Sequence, residues 1–566
     1  MVGGQGQNVP VRIAVAGRAG GGGVLRPLTD EGVPAGPPEP VADLAAAIVA
    51  AERAHAPRWV WAATSRVYPA VLDGGRVARA HDLELVEGLL LGHAGRYGEP
   101  RSVAAARARL RGAPVPADAG PPDGSVQPAL FGGPPDDDLD AIIEVHADQV
   151  RRLAAAEEPL GLLAAAESAG GLAAAEMSRH GLPWRVDLHD ALLTESLGPR
   201  PGPGLRPRRL QELADLIGTA FGGRVPVNPD SPAQLLRAFA ATGVSVPSTR
   251  AYVLNRVDHP VVPLLLEYKE LARLHAAHGW SWLDTWVRDG RFRPEYVVGG
   301  VVSGRWASRG GGALQIPRVL RRAVVADPGW ALVVADAAQL EPRVLAALAG
   351  DRAFAAAASH GDLYSALAEV YGGARAGSDA HAEARGKAKI ALLSAMYGGG
   401  GGEAGQLLAV LRHRFPTAFE YVEAAARAGE AGRLVRSRLG RTCPPPTAAW
   451  RDLTATDDTD RSGSALRGRG RFTRNFVVQA SAADWALALL ATLRGRLAGL
   501  AGRGTAPHLV FFQHDEVIVH TPRDRAEAVA DAVRAAGAEA GRLVFGPTPV
   551  VFPLEVAVVD CYADAK

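Results

Sequence analysis

Asp336 closes a short apolar run, Trp330 to Ala335, and the residues behind it, Leu340 to Ala349, have helical spacing. A carboxylate at the end of a buried strand is poorly placed for packing and well placed to hold a hard cation in a cleft. The alternative is a cap for the following helix. His514-Asp515-Glu516 stands at the centre of a segment, His508 to His520, whose two apolar runs read as a β-hairpin. A polar hairpin tip is the plain reading. Yet no Gly, Asn or Pro supplies the turn geometry there, so charge at the tip suggests a task. Asp336 and Asp515 together suit two Mg²⁺ ions roughly 3.5 to 4 Å apart, which is how in-line phosphoryl displacement is commonly catalysed.

Arg385, Lys389, Leu393 and Tyr397 recur every four residues in a window without proline. Such a series advances ~6 Å and turns ~40° per step, so the four line one helix face over ~18 Å. Two cations at one end suit phosphates, and the apolar and aromatic members suit a base. A solvated helix face is the plain alternative. Gly398 to Gly402 follow directly, but no Lys-Ser or Lys-Thr comes after them, so they read as a helix stop and hinge rather than a phosphate cradle.

These groups need several domains to position them. At 566 residues the chain exceeds a single core, and 48% hydrophobic with 22% charged residues excludes a disordered chain. With 62 basic against 60 acidic residues no global field attracts nucleic acid, so any attraction is local. Lysine occurs only at Lys269, Lys387, Lys389 and Lys566, so arginine carries nearly all the positive charge. Ser303 to Arg322 holds five arginines and no acid, and Arg433 to Arg474 holds ten against four aspartates. Both clusters suit backbone phosphates. Thr454 to Gly470 is nearly devoid of apolar residues, and a basic loop from Arg451 to Arg471 that orders on DNA is expected there.

Pro- and Gly-rich stretches at Gly112 to Asp138 and Gly198 to Pro207 read as linkers around an Ala-rich helical segment, Leu153 to Leu197. Leu210 to Trp286 is predicted helical, and the remainder mixed α and β. Two cysteines, Cys443 and Cys561, fit a reducing compartment, and the absence of a signal segment or an apolar stretch of roughly 18 residues fits a cytoplasmic, nucleoid-associated protein.

The order of these pieces resembles bacterial family A DNA polymerases, the DNA polymerase I type, from about Pro226 to Lys566. Val334-Ala-Asp-Ala-Ala-Gln-Leu-Glu-Pro-Arg343 is similar to the family's first palm motif, the Arg385 to Tyr397 series to its fingers helix, and His514-Asp515-Glu516 to its second palm motif. Ser303-Gly304-Arg305, Leu314-Gln315-Ile316-Pro317, and Asn475 with Gln479 leading to Ala482-Ala483-Asp484 match further motifs in family order. The resemblance implies an α+β right-hand architecture of palm, fingers and thumb behind an α/β ribonuclease H-like domain of the exonuclease type. The implied boundaries are 1–155 for that domain, 156–295 for a helical connection and thumb, 296–350 and 479–566 for the palm, and 351–478 for the fingers.

It implies that Asp336 and Asp515 bind two Mg²⁺ ions with Glu516 beside them. Arg385 and Lys389 would hold the triphosphate, with Leu393, Tyr397 and Gln339 also at the dNTP, and Glu341 would exclude a ribose 2′ hydroxyl. Arg305, Gln315, Arg471, Asn475, Gln479 and His514 would contact primer-template DNA, and Arg273 would meet the duplex from the thumb. Leu393 replaces a usual aromatic residue, Tyr364 a usual His, and Ala337 and Ala338 a Tyr-Ser pair, while Pro342 sits beside the gate; an active, monomeric polymerase with altered fidelity or speed is expected. The competing reading is a protein of the same fold that grips primer-template and turns over poorly.

In residues 1–155, Asp82 and Asp148 resemble remnants of the second and third exonuclease motifs, with Glu144 where a Tyr is usual. No Asp-x-Glu occurs in Val11 to Gly17. Asp82-x-Glu84 fits that pattern literally, but in helical surroundings residues two apart do not face one site. Proofreading is expected to be lost. A third reading keeps nuclease activity in this domain.

Overall fold

The computed structural model describes residues 12–118, 137–223, 227–309, 315–359, 361–368, 371, 378–397, 403–456, 459–501 and 506–565. Two compact units emerge. The first comprises Met1–Arg179, Tyr296–Ala307 and Val333–Ala557, and the second His180–Glu295, Ser308–Leu332 and Val558–Lys566.

The first unit begins with strands Arg12–Gly17, Gly23–Leu28, Glu39–Val41, Arg58–Trp61 and Arg79–Asp82, ordered third, second, first, fourth, fifth across one sheet. The first three pair antiparallel, and the first, fourth and fifth run parallel. Alternation along the strands builds two cores. Ile13, Val15, Trp59 and Trp61 pack with Leu44, Ile48, Val67 and Tyr68, whereas Ala14, Ala16, Val60 and Ala62 pack with Ile142 and Val145. The α/β expectation for this region is met.

Within the same unit the sheet is tied to the helix Thr459–Gly499 through Arg494. Its guanidinium donates to Glu176 Oε1 at 2.9 and 2.7 Å, to Ala78 O at 2.8 Å and to Val77 O, and Arg76 donates to Glu176 Oε2 at 2.6 Å. These arginines hold the buried Glu176 carboxyl down at about 2 against the burial that raises it.

His81 on the strand Arg79–Asp82 and His146 on the helix Leu139–Ala154 meet edge to face at 4.9 Å. His81 Nε2 donates to Gln149 Oε1 at 2.8 Å, while both ring nitrogens of His146 lack a partner among the described residues. Burial pushes His81 down to about 4 and His146 to about 2, with Arg12 and Arg58 adding to the effect. Both folded values lie below the unfolded 6.5, so the unfolded chain binds more protons and stability is lost as pH falls below about 6.5. Thermal denaturation between pH 7 and about pH 5 is expected to show a declining midpoint, and His146→Leu should shallow the decline. An unchanged slope would remove His146 from this role.

A four-stranded sheet is ordered His508–Gln513, Glu516–Pro522, Trp330–Ala337, Leu554–Val559. Ala331 to Ala335 are at most 2% exposed, as the apolar run predicts. Helices Thr459–Gly499 and Ala526–Phe545 pack together. The 41-residue helix Thr459–Gly499 corrects the expected basic loop: from Thr459 onward the segment is helical, and Ala448–Thr454 forms a helix before it. Its N-terminal third lacks an apolar stripe but has no proline, and the buried downstream turns from Thr473 to Leu497 supply the nucleus, after which each added residue costs little. The helix also runs through the expected boundary between 478 and 479. It is long and apolar enough to cross a membrane by length and composition, but 83% of its most apolar window is buried inside the fold, as in a core helix.

The second unit carries helices Val186–Leu197, Arg208–Ala220, Pro232–Ala241 and Val261–His278, in agreement with the helical spacing, around an aromatic core in which Trp282 lies 5.2 Å from Trp184 and 5.0 Å from Phe292. The Ala-rich segment is two helices, Leu160–His180 and Val186–Leu197, parted by the short strand Leu182–Pro183. Gly198 to Pro207 holds no helix or strand. Residues 119–136 of the first linker and Gly398 to Gly402 lie outside the described residues.

Candidate active site

The strand Trp330–Ala337 delivers Asp336 at its end, partly exposed between buried Ala335 and Ala337. The cap of the next helix, Leu340–Ala349, is Gln339, so the capping alternative for Asp336 falls away. In the hairpin, Gln513 pairs with Glu516, leaving His514-Asp515 as a two-residue turn. The Ala337 N–H donates to the Asp515 carbonyl at 3.0 Å, which pins the two aspartate positions on neighbouring chain segments. Glu516 follows at 6% exposure.

Turn geometry is obtained at a cost. His514 has φ +57° and Gln339 φ +56°, both left-handed without being glycine. Such backbone is uncommon and costs on the order of 1–3 kcal/mol, and it gathers where a side chain has to be aimed. Burial and the Arg305 charge hold the His514 imidazole below its ordinary range. Its Nδ1 and the Asn475 Oδ1 are buried without hydrogen-bond partners among the described residues, as expected of groups that meet a ligand.

Helix Asp379–Tyr397 carries Arg385, Lys389, Leu393 and Tyr397 on one face, while Ala384, Ala388, Ala391, Leu392 and Met396 are buried behind them. The predicted spacing is therefore the actual face. Tyr397 OH donates to Glu341 Oε2, and Arg305 pairs with Glu341 Oε1, so the Glu341 carboxylate is held at both oxygens. Burial, then the Glu341 bond, pushes the Tyr397 hydroxyl up to about 12. The Gln339 amide is engaged at both ends: Nε2 donates to Asp362 at 2.8 Å, and Oε1 accepts the Leu363 N–H at 2.8 Å.

Sequence reasoning missed Arg343 and Arg441. Arg343 is fully buried and donates to Ala338 O at 3.0 Å, Ala358 O at 2.8 Å, Val551 O at 3.1 Å and Gly361 O, gathering three stretches of chain around the site. Arg441 donates to Asp484 at 2.9 Å and Glu167 at 2.7 Å, and it lies against Gly304. Gly304 has φ +85°, and a Cβ there would sit 2.3 Å from Arg441 Nε. Gly304→Ala is therefore expected to lose more than about 1 kcal/mol of stability and to displace Arg305. Chemical denaturation reads the first and extension kinetics the second; a neutral variant would refute the packing account.

The second arginine cluster is partly structural. Arg441, Arg474 and Arg436 are ion-paired to Glu167, Glu423 and Glu158, which the count of charges along the chain hides. Arg471 is exposed on the long helix that also carries Asn475 and Gln479. Gln315 and Arg273 are exposed in the second unit, Arg273 on helix Val261–His278.

In the N-terminal sheet the strand Arg12–Gly17 bears no carboxylate. Asp82 ends a strand, and its buried carboxyl caps the helix Leu83–His93 by accepting the Leu85 N–H at 2.9 Å and also accepts the Thr64 N–H at 2.7 Å; the helical surroundings expected for it begin at Leu83. Asp148 is paired with Arg151 and Arg152, and Glu144 with Arg107 and Arg111. Among the described residues no group of three or more His, Cys, Asp or Glu is assembled for a metal. At Asp336 and Asp515 the donors are hard carboxylate oxygens on adjoining segments, which fits Mg²⁺.

The family model for DNA polymerase family A matches residues 207–558. The thermostable DNA polymerase I of Thermus aquaticus is 29% identical over 333 residues, 55% of this chain and 37% of that protein. That of Thermus thermophilus is 30% identical over 337 residues, again 55% and 37%. The DNA polymerase I of Chloroflexus aurantiacus is 27% identical over 344 residues, 57% and 34%. The match thus spans 34–37% of the length of these relatives. The fold is similar, at TM-score 0.69 and 17% identity over 98% of this chain and 95% of the other, to the POL domain of Pol1 from M. smegmatis in complex with DNA primer-template and dNTP.

Proposed function

The chain belongs to DNA polymerase family A, and from that premise we propose that it is a DNA-directed DNA polymerase, adding deoxynucleoside monophosphates to a primer 3′ end in replication or repair. The observation that carries this reading is one connected site. The Ala337 to Asp515 backbone bond holds the Asp336 and Asp515 segments side by side, and the cationic helix joins the chain that follows Asp336 through Tyr397 to Glu341 and through Arg385 to Asp362 and on to Gln339.

Asp336 and Asp515 would hold two Mg²⁺ ions, with Glu516 adjacent; bound there, the ions supply activation of the 3′ hydroxyl and neutralisation of the leaving pyrophosphate. The chain's own residues do the rest. Arg385 and Lys389 bind the triphosphate, Leu393 and Tyr397 lie toward the base, and Glu341, held by Arg305 and Tyr397, keeps a 2′ hydroxyl out. His514, Asn475, Gln479, Arg471, Arg305 and Gln315 bind primer and template, and Arg273 meets the duplex. The strand and hairpin sheet would be the palm, the segment around Asp379–Tyr397 the fingers, and the helices of the second unit the thumb. The protein would act as a cytoplasmic monomer.

Residues 1–155 would be an exonuclease-type domain without proofreading. Asp82 serves as a helix cap, and arginines neutralise Asp148 and Glu144, which leaves those groups committed elsewhere. The test of the main reading supplies a labelled primer-template, Mg²⁺ and each dNTP singly. Addition of only the complementary nucleotide is expected; DNA binding without addition would favour a degenerate binding protein.

A further inference from the structure

We propose that Asp362 is a positioning residue for nucleotide binding: it anchors Arg385 by one nitrogen and leaves the two terminal amino groups of its guanidinium for the triphosphate. This rests on the reading of Arg385 as a phosphate ligand. Arg385 donates through Nε to Asp362 Oδ2 at 2.8 Å, and its charge stands 5.7 Å from the Tyr364 ring centroid. The residue that departs from the usual His therefore supports the same guanidinium from a second side.

Asp362 is itself held by more than Arg385. Oδ2 also accepts the Ser365 hydroxyl at 2.7 Å, and Oδ1 accepts Gln339 Nε2 at 2.8 Å, Tyr364 N at 3.0 Å and Ser365 N at 3.3 Å. A carboxylate offers about four acceptor positions, and five donors fill them. It is an anchor rather than a latch that swings away. Its charge persists at any working pH, because these bonds hold its carboxyl well below the usual carboxylate range. Through Gln339 the anchor reaches the left-handed turn three residues beyond Asp336, so the phosphate ligand and the catalytic strand share one rigid reference point.

Steady-state incorporation by wild type, Asp362→Asn, Arg385→Ala and the double variant tests this. Asp362→Asn is expected to raise the dNTP KM about 10-fold while kcat changes less than about 3-fold, and to add nothing in the Arg385→Ala background. Ser365→Ala, which removes one donor and leaves the carboxylate, should raise KM about 2-fold; it carries the test if Asp362→Asn fails to fold. An unchanged or lowered KM, or additive effects with Arg385→Ala, would overturn the proposal while leaving the polymerase reading intact. If Arg385→Ala leaves KM unchanged, the phosphate assignment falls and takes the proposal with it.

Discussion

Asp515→Asn is expected to lower the rate of nucleotide addition at least ~10³-fold, about 4 kcal/mol at 1.36 kcal/mol per decade, while primer-template affinity changes less than about 3-fold. Asn keeps the shape of the side chain in the turn but offers a neutral oxygen in place of a charged one, and a hard dication loses most from that exchange. The left-handed His514 that aims the turn is left as it is. Asp336→Asn should behave alike, and the double variant should be little worse than either, since groups that act as one unit are not additive. Single-turnover extension and an equilibrium DNA titration read the two quantities. A loss of DNA affinity matching the loss of rate would mean that Asp515 shapes the fold and not the chemistry.

Glu341→Ala is expected to raise the relative efficiency of ribonucleotide over deoxyribonucleotide addition by about 10²-fold. An obstacle discriminates only as well as it is held, and Glu341 is held by Arg305 and by the Tyr397 hydroxyl from opposite helical and loop segments. Removing the carboxylate opens the space and frees both partners. Competition between rNTP and dNTP on one template measures the ratio, and a ratio within about 3-fold of wild type would move the gate elsewhere.

Much of this was legible in the sequence for physical reasons. The run before Asp336 is wholly apolar because its strand is buried on both faces, and the four-residue recurrence from Arg385 to Tyr397 is a helix face because Ala388, Leu392 and Met396 are buried behind it. The hairpin declared itself by lacking turn residues, and the left-handed His514 is the consequence. What stayed hidden depends on partners far along the chain. The Asp362 carboxylate finds Arg385 and Gln339 at separations of 23 residues, and Arg441 finds Glu167 at 274, so neither leaves a local pattern. The helical start of Thr459–Gly499 was hidden because its apolar neighbours lie further along the same helix. Asp82 shows the reverse case: a literal motif whose carboxylate is spent on backbone N–H groups.

Extension of a labelled primer by this 566-residue chain tests templated nucleotide addition at Asp336 and Asp515 most directly. Addition that follows the template, saturates with dNTP, requires Mg²⁺, stops on chelation and disappears in Asp515→Ala is the predicted result. Primer-template bound by the wild type with no dNTP-dependent extension in Mg²⁺ would contradict it.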